Sequence, residues 1–152
     1  MATPWKILAE LRCQALVGLA PHVAQMAGQV AAHAGLPAER SEYVQLAVEE
    51  LFVNVCSYAY PDEPGDVWLT IRAGGPRLEF DLGDEGGPFD PLAVAEPGLH
   101  ASLADRPVGG LGLYLVRNLT DDLRYRRRDG RNELHFGMLL PTAENEAVGG
   151  GE

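Results

Sequence analysis

The chain has 152 residues, with 22 acidic side chains against 12 lysines and arginines, and a formal net charge of −10 at pH 7. Its length fits one domain, its 46% apolar content is too high for a disordered acidic chain, and its negative field argues against binding to nucleic acid or to anionic membranes. Because no run of about 18 apolar residues could span a membrane and the two cysteines make no disulfide framework, we expect a cytoplasmic protein.

The first third of the chain predicts one strand and two helices. Apolar and polar residues alternate over Ile7–Ala15, which is typical of a half-buried strand with Ile7 on the apolar side. An alanine-rich stretch predicts a helix over Pro21–Ala34, ended by a glycine. A second helix is expected to begin around Ser41 and to run to about Tyr58, with one apolar stripe facing the core.

The middle of the chain predicts a β-hairpin and then a long loop. Two alternating segments, Val67–Ala73 and Leu78–Leu82, flank a Gly-Gly-Pro turn and should pair antiparallel with one face on a core. Asp84–Val108 has no periodic pattern and is rich in glycine and proline. Loops of this length inside a compact domain are uncommon and often act as functional lids.

The last third predicts a short helix over Leu111–Leu119 and a second hairpin from Leu123–Arg128 and Glu133–Leu140. The acidic, glycine-rich tail, residues 142–152, is expected to be disordered. About five strands, mostly in hairpins, and three helices predict an α+β fold. We expect a two-layer sandwich in residues 1–141, with one mixed, mainly antiparallel sheet and helices on one of its faces.

Two polar patterns suggest chemistry. Glu50 and Asn54 lie one turn apart on the same face of the second predicted helix. An amide oxygen suits Mg²⁺ and a carboxylate can deprotonate a hydroxyl, although a solvated polar pair at a helix edge would look the same. Asp84, followed by Gly86 and Gly87, ends a predicted strand. Such an aspartate can accept a hydrogen bond from a ligand amine while glycine admits a flat ring, but a plain turn favours the same residues.

A third pattern, Gly109, Gly110 and Gly112, leads into the short helix, where exposed N–H groups suit phosphate, flexible capping being the alternative. Each pattern is common alone, but their order is specific. The sequence resembles the GHKL (Bergerat-fold) ATP-binding family through its N-box, G1 box and G2 box. Over roughly Ile7–Leu140 it is most similar to the small bacterial anti-sigma-factor serine kinases.

The resemblance implies roles for the matching polar residues and a bound ATP or ADP with Mg²⁺. Asn54 would be a ligand of Mg²⁺, and Glu50 would be the general base for an attacking serine hydroxyl. Asp84 would read adenine, with Gly86 beneath the ring. The sequence departs from the family pattern at Pro88, where a second glycine is common.

The remaining roles concern the phosphates and a lid over them. Gly110 and Gly112 would surround the phosphates, and Gly109 would be the hinge of an ATP lid at 91–108. Arg106 is the lid's only cation and the candidate for stabilising the γ-phosphate. Tyr58 stands where many of these kinases have histidine, which should change the packing beside the nucleotide.

The resemblance implies an ATP-dependent serine/threonine protein kinase that phosphorylates a small STAS-type anti-anti-sigma protein and also binds a sigma factor, and it is compatible with a homodimer. Three alternatives remain: a nucleotide-gated binding module without phosphoryl transfer, a degenerate domain that has lost its ligand, and an isolated catalytic domain of a histidine kinase, which shares this fold. Five arginines on the last hairpin form either a solvated edge or a docking site for an acidic partner: Arg124, Arg126, Arg127, Arg128 and Arg131.

Overall fold

The computed structural model describes residues 4–93 and 110–142. They form an α+β sandwich in which a five-stranded sheet has the order β1-β2-β3-β5-β4. The elements in chain order are β1 (Lys6–Gln14), α1 (Ala20–His33), α2 (Ala38–Asn54), β2 (Asp66–Gly74), β3 (Arg77–Asp84), α3 (Gly110–Leu119), β4 (Asp122–Arg128) and β5 (Arg131–Leu139). The predicted fold class and both hairpins are confirmed. The sheet was expected to be mixed, but all four strand pairings of the described residues are antiparallel.

One hydrophobic core lies between the helices and one face of the sheet. Alternate residues of the central strands point into it, and Phe80 of β3 stacks on Phe136 of β5 with ring centroids 4.6 Å apart. Leu51 and Phe52 of α2 are fully buried against this layer. The opposite face of the sheet carries charged side chains joined by ion pairs, as expected for an antiparallel sheet with one solvated face.

The N-terminal strand departs from the predicted alternation. A register shift between Ile7 and Ala9, where β1 pairs with β2, turns Ile7 outward and leaves it 54% exposed. Leu8 packs against the core in its place. The expectation that Ile7 lies on the buried side was wrong because a bulge inserts one residue into the two-residue period.

Helix α2 begins at Ala38, three residues before the predicted Ser41, directly after Pro37. Ser41 is buried, and its hydroxyl donates to the Leu36 carbonyl oxygen at 3.2 Å. Ser41 therefore stabilises the beginning of α2 from within the helix. At its other end α2 passes into a π-helical turn, Val55–Ala59, which reaches the predicted end of the helix. Turns of this kind are frequent at functional sites.

Several expectations fall outside the described residues: most of the lid, 94–108, and the tail, 143–152. The start of the lid is described, and Pro91–Ala93 forms one 3-10 turn. The domain limits 1–141 stay a prediction. None of the helices within 4–93 and 110–142 has both the length and the apolar content to cross a bilayer.

Candidate functional site

Two of the predicted residues, Glu50 and Gly112, meet where α2 packs against α3. Gly112 lies in the first turn of α3 and faces Glu50 so closely that a Cβ atom at Gly112 would stand 2.6 Å from the Glu50 carboxyl carbon. The Glu50 carboxylate is half-buried and makes no ion pair or hydrogen bond within the described parts of the chain. A carboxylate acceptor is therefore held beside the first-turn N–H groups of a helix, which have no partner within the helix itself.

Asn54 lies one turn further along α2, at the junction with the π-helical turn. The residue is only 5% exposed, yet its side-chain amide forms no hydrogen bond with any described residue. Buried amides normally have partners, so this amide has a donor and an acceptor left for a ligand or water.

Asp84 ends β3 and is 2% exposed. Its Oδ1 atom accepts hydrogen bonds from the Gly86 N–H and from the Asn132 side chain, both at 2.9 Å. Its Oδ2 atom accepts none from the described residues. Burial raises the pKa of Asp84, and the hydrogen bonds from Asn132 and Gly86 and the charge of Arg127 offset that rise only in part.

The glycines after Asp84 lie against the end of the π-helical turn. The Gly87 N–H donates to the Ala59 carbonyl oxygen at 2.9 Å, and a Cβ atom at Gly86 would stand 2.7 Å from both the carbonyl carbon and the Cβ atom of Ala59. Glycine is therefore required at 86 by the protein's own backbone. A place for Gly86 beneath a base stays a prediction.

One helical segment thus joins the two halves of the site. Near Glu50 it contacts α3, and at Ala59 it contacts the loop after Asp84. Nine residues at no more than about 1.5 Å per residue separate these contacts by at most roughly 14 Å, because part of the segment is the wider π-helical turn, and a ligand that touches both ends must be elongated.

Sequence reasoning missed the side chains that hold the Asp84 loop. Tyr60 accepts a hydrogen bond from the Glu85 N–H at 2.8 Å. Tyr58, which the sequence did single out, stacks on Phe89 with ring centroids 4.6 Å apart, a contact the sequence did not predict. Asn132 on β5 is the main support. Its signal was available, because it shares the inward-facing register of Leu134, Phe136 and Met138, where a polar residue needs a reason. The pairing of Asn132 with Asp84 requires the strand register, which the sequence alone does not give.

The five arginines of the last hairpin are engaged within the protein. Arg127 donates to the Gly86 carbonyl oxygen at 2.7 Å, which ties edge strand β4 to the Asp84 loop. The other four pair with carboxylates of Asp122, Glu133 and Glu85. This surface therefore carries mixed charge rather than an unpaired basic patch.

Two predicted residues, Arg106 and Gly109, lie outside the described residues, and Gly110 is the first residue of α3. Within 4–93 and 110–142, no three His, Cys, Asp or Glu side chains are grouped to hold a metal. A site with one protein oxygen, from Asn54, still fits Mg²⁺, since this ion commonly takes its other ligands from phosphates and water.

Comparison with known proteins gives concordant results. Residues 13–138 match the family described as "Histidine kinase-like ATPase domain". The serine/threonine-protein kinase BtrW of Bordetella bronchiseptica is 37% identical over 90 residues, which cover 59% of this chain and 63% of BtrW. The serine-protein kinase RsbW of Bacillus cereus (strain AH187) is 30% identical over 118 residues, 72% of this chain and 70% of RsbW.

A solved structure has a similar fold. The crystal structure of the RsbU and RsbW domains of Rv1364c from Mycobacterium tuberculosis superposes with a TM-score of 0.61 and 14% sequence identity. The match covers 87% of this chain and 32% of that one. At this identity the likeness establishes the fold only.

Proposed function

Because the chain belongs to the family of histidine kinase-like ATPase domains, and therefore to ATP-binding proteins, we propose that it is an ATP-dependent protein serine/threonine kinase of the anti-sigma type. Its substrate would be a serine of a small STAS-type anti-anti-sigma protein, and its other partner a sigma factor. The observation that carries the proposal is the contact between Glu50 and Gly112, with Asn54 one turn away and the Asp84 loop at the other end of the same helical segment.

The base would be recognised at the Asp84 loop. The Asp84 Oδ2 atom is available to accept a hydrogen bond from an exocyclic amine, since Oδ1 is already used by two protein donors. Hydrogen bonds to Ala59 and Asn132 hold the loop, so little reorganisation is needed on binding.

The transferred group would lie near the first turn of α3. The first-turn N–H groups there, which have no partner within the helix, would attract phosphate oxygens, and Asn54 would supply the protein's oxygen ligand to Mg²⁺. Mg²⁺ that accompanies a nucleotide neutralises charge on the phosphate oxygens. Glu50 would take the proton of the serine hydroxyl while the serine oxygen bonds to the phosphoryl group and ADP leaves.

The test follows γ-phosphate label from Mg²⁺·ATP to a STAS-domain protein, with the unaltered chain and with Glu50→Gln. We expect label on a partner serine, and a loss of transfer of about 100-fold or more in Glu50→Gln with nucleotide affinity retained. Glu49→Gln is the matched control, because Glu49 lies outside the Glu-x3-Asn spacing, and it should transfer normally.

Equal transfer by Glu50→Gln and the unaltered chain would contradict the assignment of the base. Label that never reaches the partner, although nucleotide still changes partner binding, would favour a nucleotide-gated binding module instead.

A further inference from the structure

Asn132 is the most fully hydrogen-bonded buried polar side chain near the site. It is 2% exposed and lies opposite Asp84 in the pairing of β3 with β5. Its Nδ2 atom donates to Asp84 Oδ1 at 2.9 Å and to the Gly87 carbonyl oxygen at 2.8 Å. Its Oδ1 atom accepts from the Phe89 N–H at 3.3 Å and from the Tyr125 hydroxyl at 2.6 Å. Both hydrogens of its amide nitrogen and two acceptor positions of its oxygen are therefore used.

The orientation of this amide is fixed by two backbone groups. The Gly87 carbonyl can only accept a hydrogen bond and the Phe89 N–H can only donate one. If the amide were flipped, its oxygen would face the Gly87 carbonyl oxygen and its nitrogen would face the Phe89 N–H, and neither pair could form a hydrogen bond. Asn132 can therefore present only an N–H to Asp84.

We propose that Asn132 is a positioning residue that sets the base specificity of the site. Because the Asn132 N–H occupies Asp84 Oδ1, Oδ2 is the carboxylate oxygen left to accept a hydrogen bond from a base that carries an exocyclic amine. The inference rests on the proposed nucleotide site. The expected ligand class is an adenine nucleotide. In a base with a carbonyl oxygen at the same position, that oxygen would face Asp84 Oδ2, and two hydrogen-bond acceptors cannot pair.

The protonation of Asp84 decides which partner it suits. An ionised Asp84 only accepts hydrogen bonds, while a protonated one can donate from Oδ2 to a carbonyl oxygen. Burial raises the pKa of Asp84, and the hydrogen bond from Asn132 is the strongest influence that lowers it.

Within the described part of the chain, few other groups face Asp84. Arg127 on β4 and the Gly86 N–H also lower its pKa, and the acidic Glu85 and the phenols of Tyr60 and Tyr125 complete the surroundings. Loss of the Asn132 amide should therefore raise the pKa of Asp84 further.

The experiment measures the affinity of the full chain for ADP and for inosine diphosphate by calorimetry, between about pH 5 and pH 8. The unaltered protein should prefer ADP by about tenfold or more at the upper end. In Asn132→Leu that preference should shrink by about tenfold, and the pH below which ADP affinity falls should move upward. A merely structural defect would lower the affinity for both nucleotides equally and leave the pH dependence of ADP affinity unchanged.

Two further variants keep the test decisive. Tyr125→Phe removes one hydroxyl from Asn132 Oδ1 and should move the ADP preference and the pH profile in the same direction by a smaller amount. Asn118→Leu, which changes an exposed asparagine at the far end of α3, should move neither.

An unchanged ADP preference and pH profile in folded Asn132→Leu would overturn the inference alone. If that variant does not fold, an unchanged result in Tyr125→Phe would do so. Failure of the unaltered protein to bind either nucleotide would overturn the proposed function as well.

Discussion

The paired glycines of the Asp84 loop allow a sharp test of how the site is built. Substituting Gly86→Ala would place a methyl group 2.7 Å from both the carbonyl carbon and the Cβ atom of Ala59. Those atoms belong to the last residue of a π-helical turn and cannot rotate away, so the loop itself must shift. A shift would weaken the hydrogen bonds that Gly86 makes with Asp84 and Arg127.

The cost can be estimated from these contacts. Overpacking against atoms that cannot move away costs about 1–3 kcal/mol, and each weakened hydrogen bond adds up to about 1 kcal/mol. A loss of about 2–4 kcal/mol in the free energy of unfolding corresponds to a fall in melting temperature of roughly 5–15 °C in a domain of this size.

Gly87→Ala is the matched control. A Cβ atom at Gly87 would lie 3.8 Å from the nearest Ala59 atom, an ordinary van der Waals contact, so we expect a change within about 1 kcal/mol. Thermal unfolding followed by circular dichroism, together with ADP titration, measures both variants. Similar melting temperatures and ADP affinities for the two would refute the close-approach argument.

Two more predictions concern the acidic side chains. Gly112→Ala should push the flexible Glu50 carboxylate aside, so partner phosphorylation falls about tenfold or more while the melting temperature barely changes; undiminished transfer in a single-turnover assay would contradict this. Burial alone would raise the pKa of Asp81, but its hydrogen bond and charge contact with His135, together with Arg72, lower it. Asp81 therefore stabilises the fold at pH values above its ordinary pKa, and that contribution is lost as the pH falls through the lowered pKa. The stability deficit of His135→Gln should therefore shrink as the pH falls below about 4, the ordinary pKa of an aspartate, and a deficit that stays constant through that range in urea titrations would count against the pairing.

The sequence predicted the fold through patterns that need only local information. Alternation marked the central strands, and glycine and proline marked the turns, because antiparallel hairpins bury one face and connect through short loops. It failed at Ile7, where a bulge breaks the period, and it placed the start of α2 at Ser41, three residues after Ala38, where the helix begins. Both features depend on how neighbouring segments pack.

The candidate site was predictable in part for the same reason. Glu50, Asn54 and Asp84 were visible because their spacing within one element, or at its end, is itself the signal. The roles of Asn132 and Tyr125 were not visible, although Asn132 stood out as a polar residue among inward-facing ones, because those roles depend on which residues stand opposite one another across two strand pairings. Cross-strand register is a tertiary property, and a single sequence carries it only indirectly.

The most direct test of nucleotide binding at the Asp84 loop is a thermal melt with and without Mg²⁺·ADP, repeated on Asp84→Asn. At a ligand concentration about 100-fold above Kd, binding adds about 2.7 kcal/mol, or roughly 5–10 °C for this chain length. In Asp84→Asn an amide NH₂ group takes the place of one carboxylate oxygen, and it cannot accept a hydrogen bond from the base amine. The rise in melting temperature on adding ADP should therefore vanish, although the variant still folds. A shift of that size in the unaltered chain that disappears in Asp84→Asn is the predicted result. No shift in the unaltered chain, or an equal shift in both, would contradict the account.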